Sequence, residues 1–435
     1  MGTNYSQPPR GYQYSTQQFD NETSIIEVEP DFKSFYQLYN NNYQNMKNLP
    51  YLLRSINGEL ITYSYEKCFK ICQSIHSFLC SHQMKPNSTI AVYSKSSFES
   101  QIICDVALLF GHHLLLSSPT SQAPDKFAQS IRNFSPFAVF CSTENAYHIS
   151  KFVSNIQFIT DTDSKFNSFH KISEFSTKYS TPEAKTTNEP CITFLASPTN
   201  TNSENVTISS YDMLTFLSSW SEKLKLCRDA TIAVLLPSDD NVARLVNMLC
   251  IYNHSKLCFP NSLDSVKEFN PTHIFLSEDI VNKETSEINK QIADSSFFTR
   301  SYYNLHYFWK NTWVSWGSAA PNSDKKIFIK YQKDLGQDFH FAFCTGNLPK
   351  DVHENWIVRY GKPLSTVFIP SKWGNVGASL PCDVRFIKYG TLGGPVENSI
   401  SIDNENGQIF SRLNGQRICK CGFWDEEGSL VIDSK

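Results

Sequence analysis

The chain has 435 residues, of which 40% are hydrophobic and 19% charged, and its net charge is −3. A chain of this length buries a large core and forms more than one sub-domain. The small net charge argues against a nucleic-acid partner. The best apolar candidate for a membrane span, residues 106–116, is too short and is broken by His112 and His113, so it predicts a buried element and no transmembrane segment.

The thirteen cysteines follow no repeated spacing. Cys419 and Cys421 are the closest pair, and no His cluster stands near them in the sequence. Reduced thiols in a cytoplasmic protein are the simplest account of this pattern, and a metal site is the weaker interpretation.

Residues 1–30 are rich in Gln, Tyr, Ser and Asn and predict a disordered polar tail. The tail begins Met-Gly-Thr-Asn-Tyr-Ser, which places Gly2 and Ser6 as in an N-myristoylation motif. An acyl chain on Gly2 would give peripheral membrane contact, although a single chain binds only marginally and Arg10 is the sole basic residue before Lys33. The alternative is a chance match, and the mass of the N-terminal peptide decides between the two.

Residues 31–190 predict a first α/β sub-domain and a connector. Aromatic residues at helical spacing begin at Phe32 and indicate the first helix. Ser64 is a predicted N-cap of the next helix. Strands then alternate with helices, which is typical of a mostly parallel sheet covered on both faces. The predicted strands span residues 90–93, 114–116 and 137–141.

The stretch from 191 to 214 has the layout of a phosphate-binding turn. It opens as a strand over 191–195, continues as a polar loop over 197–205, and reaches Ser209 and Ser210 where a helix N-cap belongs. Such a turn binds phosphate through backbone N–H groups, which Gly allows to approach closely, and through a Lys.

The chemistry of that turn is missing here. The stretch contains no Gly, Lys or Arg, and its only charged residues, Glu204 and Asp212, are both acidic. The sequence therefore predicts the architecture of a phosphate loop without its chemistry.

This stretch resembles the strand–loop–helix of the adenylate-forming enzymes, and among them the long-chain fatty acid–CoA ligases, which read approximately Y-T-S-G-T-T-G-x-P-K-G-V. Phe194 stands for the aromatic residue and Val206 for the closing Val, so the family Lys falls on Ser203 or Glu204. The positions that correspond to the nucleotide-binding loop are Ser197, Thr199, Ser203 and Glu204.

Later motifs extend the resemblance over nearly all of residues 36–435. Residues 424–433 read W-D-E-E-G-S-L-V-I-D, close to the family's W-D-E-D-G-x-L-x-I-x-D, and residues 390–395 resemble its G-T-V-G-x-P. The resemblance implies an α/β fold. It has two stacked, mostly parallel α/β sub-domains, at 31–190 and 191–365, and a small antiparallel β-barrel at 366–435. The chain stops at the family's hinge, so the mobile C-terminal lid domain is expected to be absent.

Four further positions, in three motifs, depart from the family pattern. The His of its L-P-L-A-H motif corresponds to Asp240. The Thr-Glu pair that binds phosphate and Mg²⁺ corresponds to Ser371 and Lys372, and the Asp that holds the ribose corresponds to Lys420. Each unit of charge interaction at about 4 Å is worth roughly 4 kcal/mol at an effective dielectric near 20, so Lys372 would repel Mg²⁺. No intact catalytic residue, metal site or cofactor is therefore predicted.

The resemblance suggests a long-chain acyl-CoA synthetase-like pseudoenzyme that retains binding of a fatty acid, an acyl-CoA or a protein partner. One alternative is a divergent but active fatty acid–CoA ligase that uses ATP and Mg²⁺ and borrows a partner's C-terminal domain. Another is a non-catalytic scaffold that pairs with an intact ligase. The expected location is the cytoplasm, with membrane association through Gly2.

Other polar residues receive structural interpretations. His112, His113, His273 and His340 stand among apolar residues and predict core or edge histidines. Ser209 and Ser210 predict a helix cap, because no G-x-S-x-G elbow surrounds them.

Overall fold

The structure, a computed structural model, describes residues 31–162, 165–176, 190–195, 205–224, 228–315, 321–346, 348–368, 376–378, 400–402, 408–411, 417–424 and 430–432. Gly2 and the rest of the predicted tail lie outside these residues. The described residues divide into two units. The first unit comprises those within Val28–Ala230 and Leu236–Phe259, and the second those within Thr231–Leu235 and Pro260–Lys435.

The strands of the described residues, in chain order, are β1 (Pro50–Ile56), β2 (Glu59–Ser64), β3 (Thr89–Tyr93), β4 (His113–Ser117), β5 (Ala138–Cys141), β6 (Gln157–Thr160), β7 (Asn167–Ser168), β8 (Pro190–Phe194), β9 (Val206–Ser209), β10 (Thr231–Leu235), β11 (Lys256–Cys258), β12 (His273–Ser277), β13 (Phe341–Thr345), β14 (Leu364–Phe368), β15 (Val376–Ala378), β16 (Ile400–Ile402), β17 (Gln408–Ser411), β18 (Arg417–Trp424) and β19 (Leu430–Ile432).

The α-helices of the described residues are Phe35–Asn45, Tyr65–Ser81, Phe98–Leu109, Pro124–Ser130, Thr143–Ile149, Phe169–Ser173, Ser210–Leu224, Asn241–Tyr252, Glu278–Ala293, Phe297–Ser315, Pro321–Ser323, Ile329–Asp334 and Lys350–Tyr360. Two 3₁₀-helices span Ile131–Phe134 and Leu263–Phe269, and a π-helix spans Asp324–Phe328. None of these helices is long and apolar enough to cross a bilayer.

The first unit is built on a sheet in the order β7-β6-β5-β3-β4-β8-β9. Every neighbouring pair from β7 to β8 is parallel, and only β9 runs antiparallel. The central strands β3, β4 and β5 are continuous apolar runs, as expected where helices cover both faces of a parallel sheet. The prediction of an α/β fold with mostly parallel sheets is confirmed.

Helix starts in this unit follow capping chemistry. Ser64 caps the Tyr65–Ser81 helix by accepting a hydrogen bond from the Lys67 amide at 3.3 Å, as predicted. The Ser209 hydroxyl accepts from the Asp212 amide at 3.0 Å and caps the Ser210–Leu224 helix, so the predicted cap at this position is also confirmed.

The first unit also contains the β1–β2 hairpin, whose first strand pairs in parallel with β11. Asn57 and Gly58 form its turn with φ values of 53° and 81°. Two consecutive residues with positive φ are typical of a type I′ turn, whose twist matches that of the flanking strands.

The second unit has a sheet in the order β15-β14-β13-β12-β10, parallel from β14 to β10 and antiparallel at β15. Strands β16 to β19 form a separate four-stranded antiparallel sheet in chain order. The motif at 424–433 falls on the hairpin between β18 and β19, where Trp424 pairs with Leu430. The predicted antiparallel C-terminal segment is therefore present.

The predicted domain limits at residues 30, 190 and 365 stay predictions. Strand β8, which follows the second of these limits, pairs with β4 in the sheet of the first unit.

Candidate functional site

The predicted phosphate loop is flanked by β8 and β9. These strands form an antiparallel hairpin in which Phe194 pairs with Val206. The loop residues Ser197, Thr199, Ser203 and Glu204 lie outside the described residues. Ser371 and Lys372 also lie outside them, and Lys420 lies in β18.

Threonine hydroxyls join the hairpin to its neighbour in the sheet. Thr193 Oγ1 lies 2.8 Å from Thr207 Oγ1 and 2.8 Å from His113 Nε2. The Leu195 amide donates to the Leu116 carbonyl at 3.0 Å. The carboxyl end of β8 therefore lies beside that of β4, so the loop between β8 and β9 starts at the carboxyl edge of the sheet.

The carboxyl edge is where ligands bind in open α/β sheets, at the point where the strand order reverses. In the sheet, β4 lies beside β3 on the side away from β5, and β6 lies beside β5 on the side away from β3. The direction in which the chain crosses the sheet therefore reverses between β3 and β5. We define the carboxyl edge as residues 94–97, 117–122, 142–143, 161–162, 195 and 205 together with 236–240, which packs on them.

Hydroxyl groups hold the 236–240 segment against this edge. Ser96 Oγ donates to the Leu236 carbonyl at 2.7 Å, and Ser238 Oγ donates to the Ser94 carbonyl. The Ser121 hydroxyl donates to the Asp239 carboxylate. These contacts give the edge a polar, serine-rich surface.

The charge of the carboxyl edge is unfavourable for phosphate. Among its described residues the charged side chains are Lys95, Asp161, Asp239 and Asp240, and Lys95 is exposed. Phosphate sites combine backbone N–H groups with positive charge. Three carboxylates against one ammonium do not fit the triphosphate of ATP.

Asp240, which by the sequence resemblance corresponds to the family His, has a structural role that was not predicted from the sequence. Its Oδ1 accepts hydrogen bonds from the Val242 and Ala243 amides at 2.8 and 3.1 Å and so caps the Asn241–Tyr252 helix. Burial raises the pKa of this carboxyl to about 6, against the lowering effect of the two amides. An Asp directly before an apolar helix was the signal that could have identified it.

A second polar site in the first unit was not predicted at all. Asp105, on the Phe98–Leu109 helix, is 1% exposed and accepts hydrogen bonds from Tyr39 Oη at 2.7 Å, Tyr51 Oη at 2.9 Å and Gln101 Nε2 at 2.6 Å. Burial raises the pKa of this carboxyl to about 7, although the hydrogen bonds and the Arg244 guanidinium oppose the shift. The only sequence signal was one acid in the apolar part of a helix.

The network continues through Gln101, whose Oε1 accepts from Arg244 Nη1 at 3.1 Å and from Asn247 Nδ2 at 2.9 Å. Beside it lies a cavity of about 20 Å³, lined in part by Asp105, Tyr65 and Cys68. That volume holds no more than one water molecule. The network joins three helices and β1, so it is a structural core of polar groups and does not offer space for a substrate.

Most contacts of the histidines agree with the prediction that they are core or edge residues. His273 Nδ1 lies 2.8 Å from Thr272 Oγ1, and burial lowers the pKa of His273 to about 4. His112 is buried, whereas His340 is exposed. In the described part of the chain, no group of three or more His, Cys, Asp or Glu side chains could hold a metal ion.

No protein-family model matches the chain, and no curated protein matches its sequence. Solved structures do match. A luciferase-like enzyme from the nonluminescent mealworm Zophobas morio superposes with a TM-score of 0.70 at 13% identity, over 94% of this chain and 98% of the other. The N-terminal domain of FACL13 from Mycobacterium tuberculosis gives a TM-score of 0.69 at 12% identity, over 93% and 100%.

A benzoate CoA ligase from Burkholderia xenovorans LB400 gives a TM-score of 0.66 at 10% identity, over 92% of this chain and 80% of the other. The chain therefore has the fold of the adenylate-forming enzymes' N-terminal domain, as the motifs predicted. At these identities the likeness establishes the fold alone, and activity has to be argued from the site.

Proposed function

We propose that this protein is a pseudoenzyme, which keeps the fold of an acyl-CoA ligase for binding and does not form adenylates. The observation that carries the proposal is the charge at the carboxyl edge, whose described residues include three carboxylates, Asp161, Asp239 and Asp240, and one ammonium, the exposed Lys95. An adenylate-forming site has to hold a triphosphate at such an edge. The described residues at this edge would repel a triphosphate, because they carry more negative than positive charge.

The sequence also lacks other groups with which the family binds ATP and Mg²⁺. By the resemblance, Ser203 or Glu204 replaces the loop Lys, Lys372 replaces the Mg²⁺-binding Glu, and Lys420 replaces the ribose-binding Asp. Removing one electrostatic donor to a transition state already costs about 3–4 kcal/mol in comparable sites. Several such losses together leave little basis for adenylation.

The ligand that we propose in place of ATP is a fatty acyl group, free or as acyl-CoA, and this part rests on the resemblance. A saturable displacement assay with a fluorescent fatty acid tests it, with lysozyme as a protein control of unrelated fold. Saturable displacement by unlabelled fatty acid is the expected result. Absence of a saturable signal would rule out binding of a fatty acid. The pseudoenzyme would then be expected to bind a protein partner, which includes an intact ligase.

The decisive experiment on catalysis is calorimetric titration of the purified full chain with ATP, with and without Mg²⁺. We expect no heat of binding at millimolar ATP, whereas an intact acyl-CoA ligase titrated alongside should bind. Clear Mg²⁺-dependent binding would instead favour the divergent active ligase, and an assay for acyl-CoA formation from fatty acid, CoA and ATP would follow.

A further inference from the structure

The Phe297–Ser315 helix of the second unit carries an exposed stripe of large apolar side chains. The stripe consists of residues at i, i+4, i+7, i+11 and i+15, which lie on one side of an α-helix. Their exposed fractions range from 44% to 82%. We call them the aromatic stripe: Phe298, Tyr302, Leu305, Trp309 and Trp313.

The stripe is a concentration of exposed apolar surface. Including Phe297 and Phe308, this helix carries seven of the fourteen large hydrophobic side chains that are exposed among the described residues. Scattered exposed hydrophobic residues are ordinary, but a contiguous patch indicates an interaction surface.

The opposite side of the helix is already packed within the second unit. Tyr303, Lys310 and Val314 are buried there. Tyr303 Oη accepts a hydrogen bond from Arg359 Nε at 3.1 Å, and Lys310 Nζ lies 2.5 Å from Asp324 Oδ1. The helix is therefore held by its inner side, and the aromatic stripe is not needed for that packing.

The segment of the chain that carries the stripe has a net positive charge. The Phe297–Ser315 helix contains no Asp or Glu, and exposed lysines follow it at 325, 326, 330 and 333. The contact of His306 Nδ1 with Ser323 Oγ at 3.1 Å, together with the Lys310–Asp324 pair, holds the start of that lysine-bearing segment against the helix. From 297 to 334 the sequence has six Lys and Arg residues and two Asp residues, although the whole chain is negative.

We infer that the aromatic stripe docks on the surface of an anionic lipid bilayer, with its rings in the headgroup layer and the lysines near the phosphates. Trp and Tyr favour the membrane interface because their rings are apolar and their polar tips stay hydrated. A helix that presents aromatic residues beside basic ones binds in the interfacial plane, and anionic lipids attract the basic residues. The inference does not depend on the proposed loss of adenylation.

The test is co-sedimentation of the full chain with vesicles. One set is phosphatidylcholine alone, and the other is equal parts of phosphatidylserine and phosphatidylcholine. All proteins carry Gly2→Ala, so that no N-terminal acyl chain contributes. We expect binding to the phosphatidylserine vesicles, weakening as salt is added, and quenching of tryptophan fluorescence when the vesicles contain brominated lipid.

Two double variants separate the contribution of the apolar side chains to vesicle binding from that of the lysines. Phe298→Ala with Trp309→Ala should lower the partition coefficient by at least about tenfold, because apolar surface is lost from the interface. Lys325→Gln with Lys326→Gln should lower it by about fivefold per lysine, at about 1 kcal/mol for each charge near the surface. The controls, Leu60→Ala with Phe152→Ala and Lys126→Gln with Lys151→Gln, remove exposed apolar and basic groups elsewhere on the chain and should leave the partition coefficient unchanged.

Three results would overturn the inference. The first is no sedimentation of the unmutated chain with either kind of vesicle, a result that needs no variant to fold. The second is a protein–protein interface, seen as concentration-dependent dimerisation in analytical ultracentrifugation that Phe298→Ala with Trp309→Ala abolishes while vesicle binding is absent. Equal loss of vesicle binding in the control variants would also contradict a specific role for the stripe.

Discussion

At the scale of single residues, Asp105 shows how burial governs the behaviour of a charged group. Three hydrogen bonds and a nearby guanidinium favour its ionised form, yet removal from water outweighs them and raises the pKa of Asp105 to about 7. The same competition acts at Asp240, where two backbone amides do not prevent the pKa from rising to about 6.

The shift at Asp105 predicts a pH dependence of stability. An unfolded Asp has a pKa near 3.9, so between about pH 4 and pH 7 the folded state holds a proton that the unfolded state has lost. The free energy of unfolding therefore falls as pH rises through this window, by about 4 kcal/mol in total. Asp105→Asn removes this titration, so the variant should gain stability relative to the unmutated chain as pH rises from 5 to 8.

Urea denaturation at several pH values measures that difference. The Asp229→Asn variant, which changes an exposed carboxylate in the same unit, is the control and should show no such gain. A difference between Asp105→Asn and the unmutated chain that stays constant with pH would contradict the assignment of the titration to Asp105.

At the scale of elements, the Asn241–Tyr252 helix depends on the residue that precedes it. That residue is Asp240, whose carboxylate accepts two amide hydrogen bonds at the helix start; by the sequence resemblance it corresponds to a His of the fatty acid–CoA ligases. A short side-chain acceptor at the N-cap stabilises a helix, and imidazole is not among the preferred caps. A His at position 240 would therefore weaken the start of this helix, although the family pattern has a His there.

The consequence is a prediction about restoring the family residue. Asp240→His should destabilise the protein by about 1 kcal/mol, because both amides at the helix start lose their acceptor. Asp240→Asn keeps a good cap and should lower the free energy of unfolding by about a few tenths of a kcal/mol or less. Thermal unfolding of the two variants at pH 7 measures the comparison. Equal stability of the His and Asn variants would show that capping is not the main role of Asp240.

Much at this scale could be predicted from the sequence because its signals are local. Apolar runs that alternate with helical patterns identified β3, β4 and β5, and the caps at Ser64 and Ser209 were visible as small polar residues ahead of apolar helices. Strand β9 was not predicted: it follows directly on the polar loop predicted over 197–205, and its four residues carry too little pattern.

The polar sites could not be predicted in the same way. Asp105 is stabilised by tyrosines that are 54 and 66 residues away in the chain, so no local spacing reveals the network. The sequence of the Phe297–Ser315 helix has eight Phe, Tyr or Trp among its 19 residues and does not distinguish its buried side from its exposed one. Only the structure shows that Tyr303 and Lys310 face inward while Phe298 and Trp309 are exposed.

At the scale of the whole molecule, the fold and the chemistry depend on different numbers of residues. The fold is shared with solved adenylate-forming enzymes at 10–13% identity. It rests on many buried apolar positions, each of which tolerates similar side chains. Adenylation rests on a few charges with fixed signs, and by the resemblance Glu204, Lys372 and Lys420 have the opposite sign. A chain can therefore lose the activity while the fold persists.

This separation predicts how ligands change the stability of the whole protein. A ligand that binds only the folded state raises the free energy of unfolding by about 2.7 kcal/mol at a hundred times its Kd. We expect millimolar ATP with Mg²⁺ to leave the Tm unchanged, because the carboxyl edge carries carboxylates where a triphosphate would lie. A long-chain fatty acid should raise the Tm if the proposed acyl binding is retained, and an intact acyl-CoA ligase should respond to both ligands. A rise in Tm with ATP that requires Mg²⁺ would mean that residues beyond the described edge restore the missing charge, and the pseudoenzyme proposal would fail.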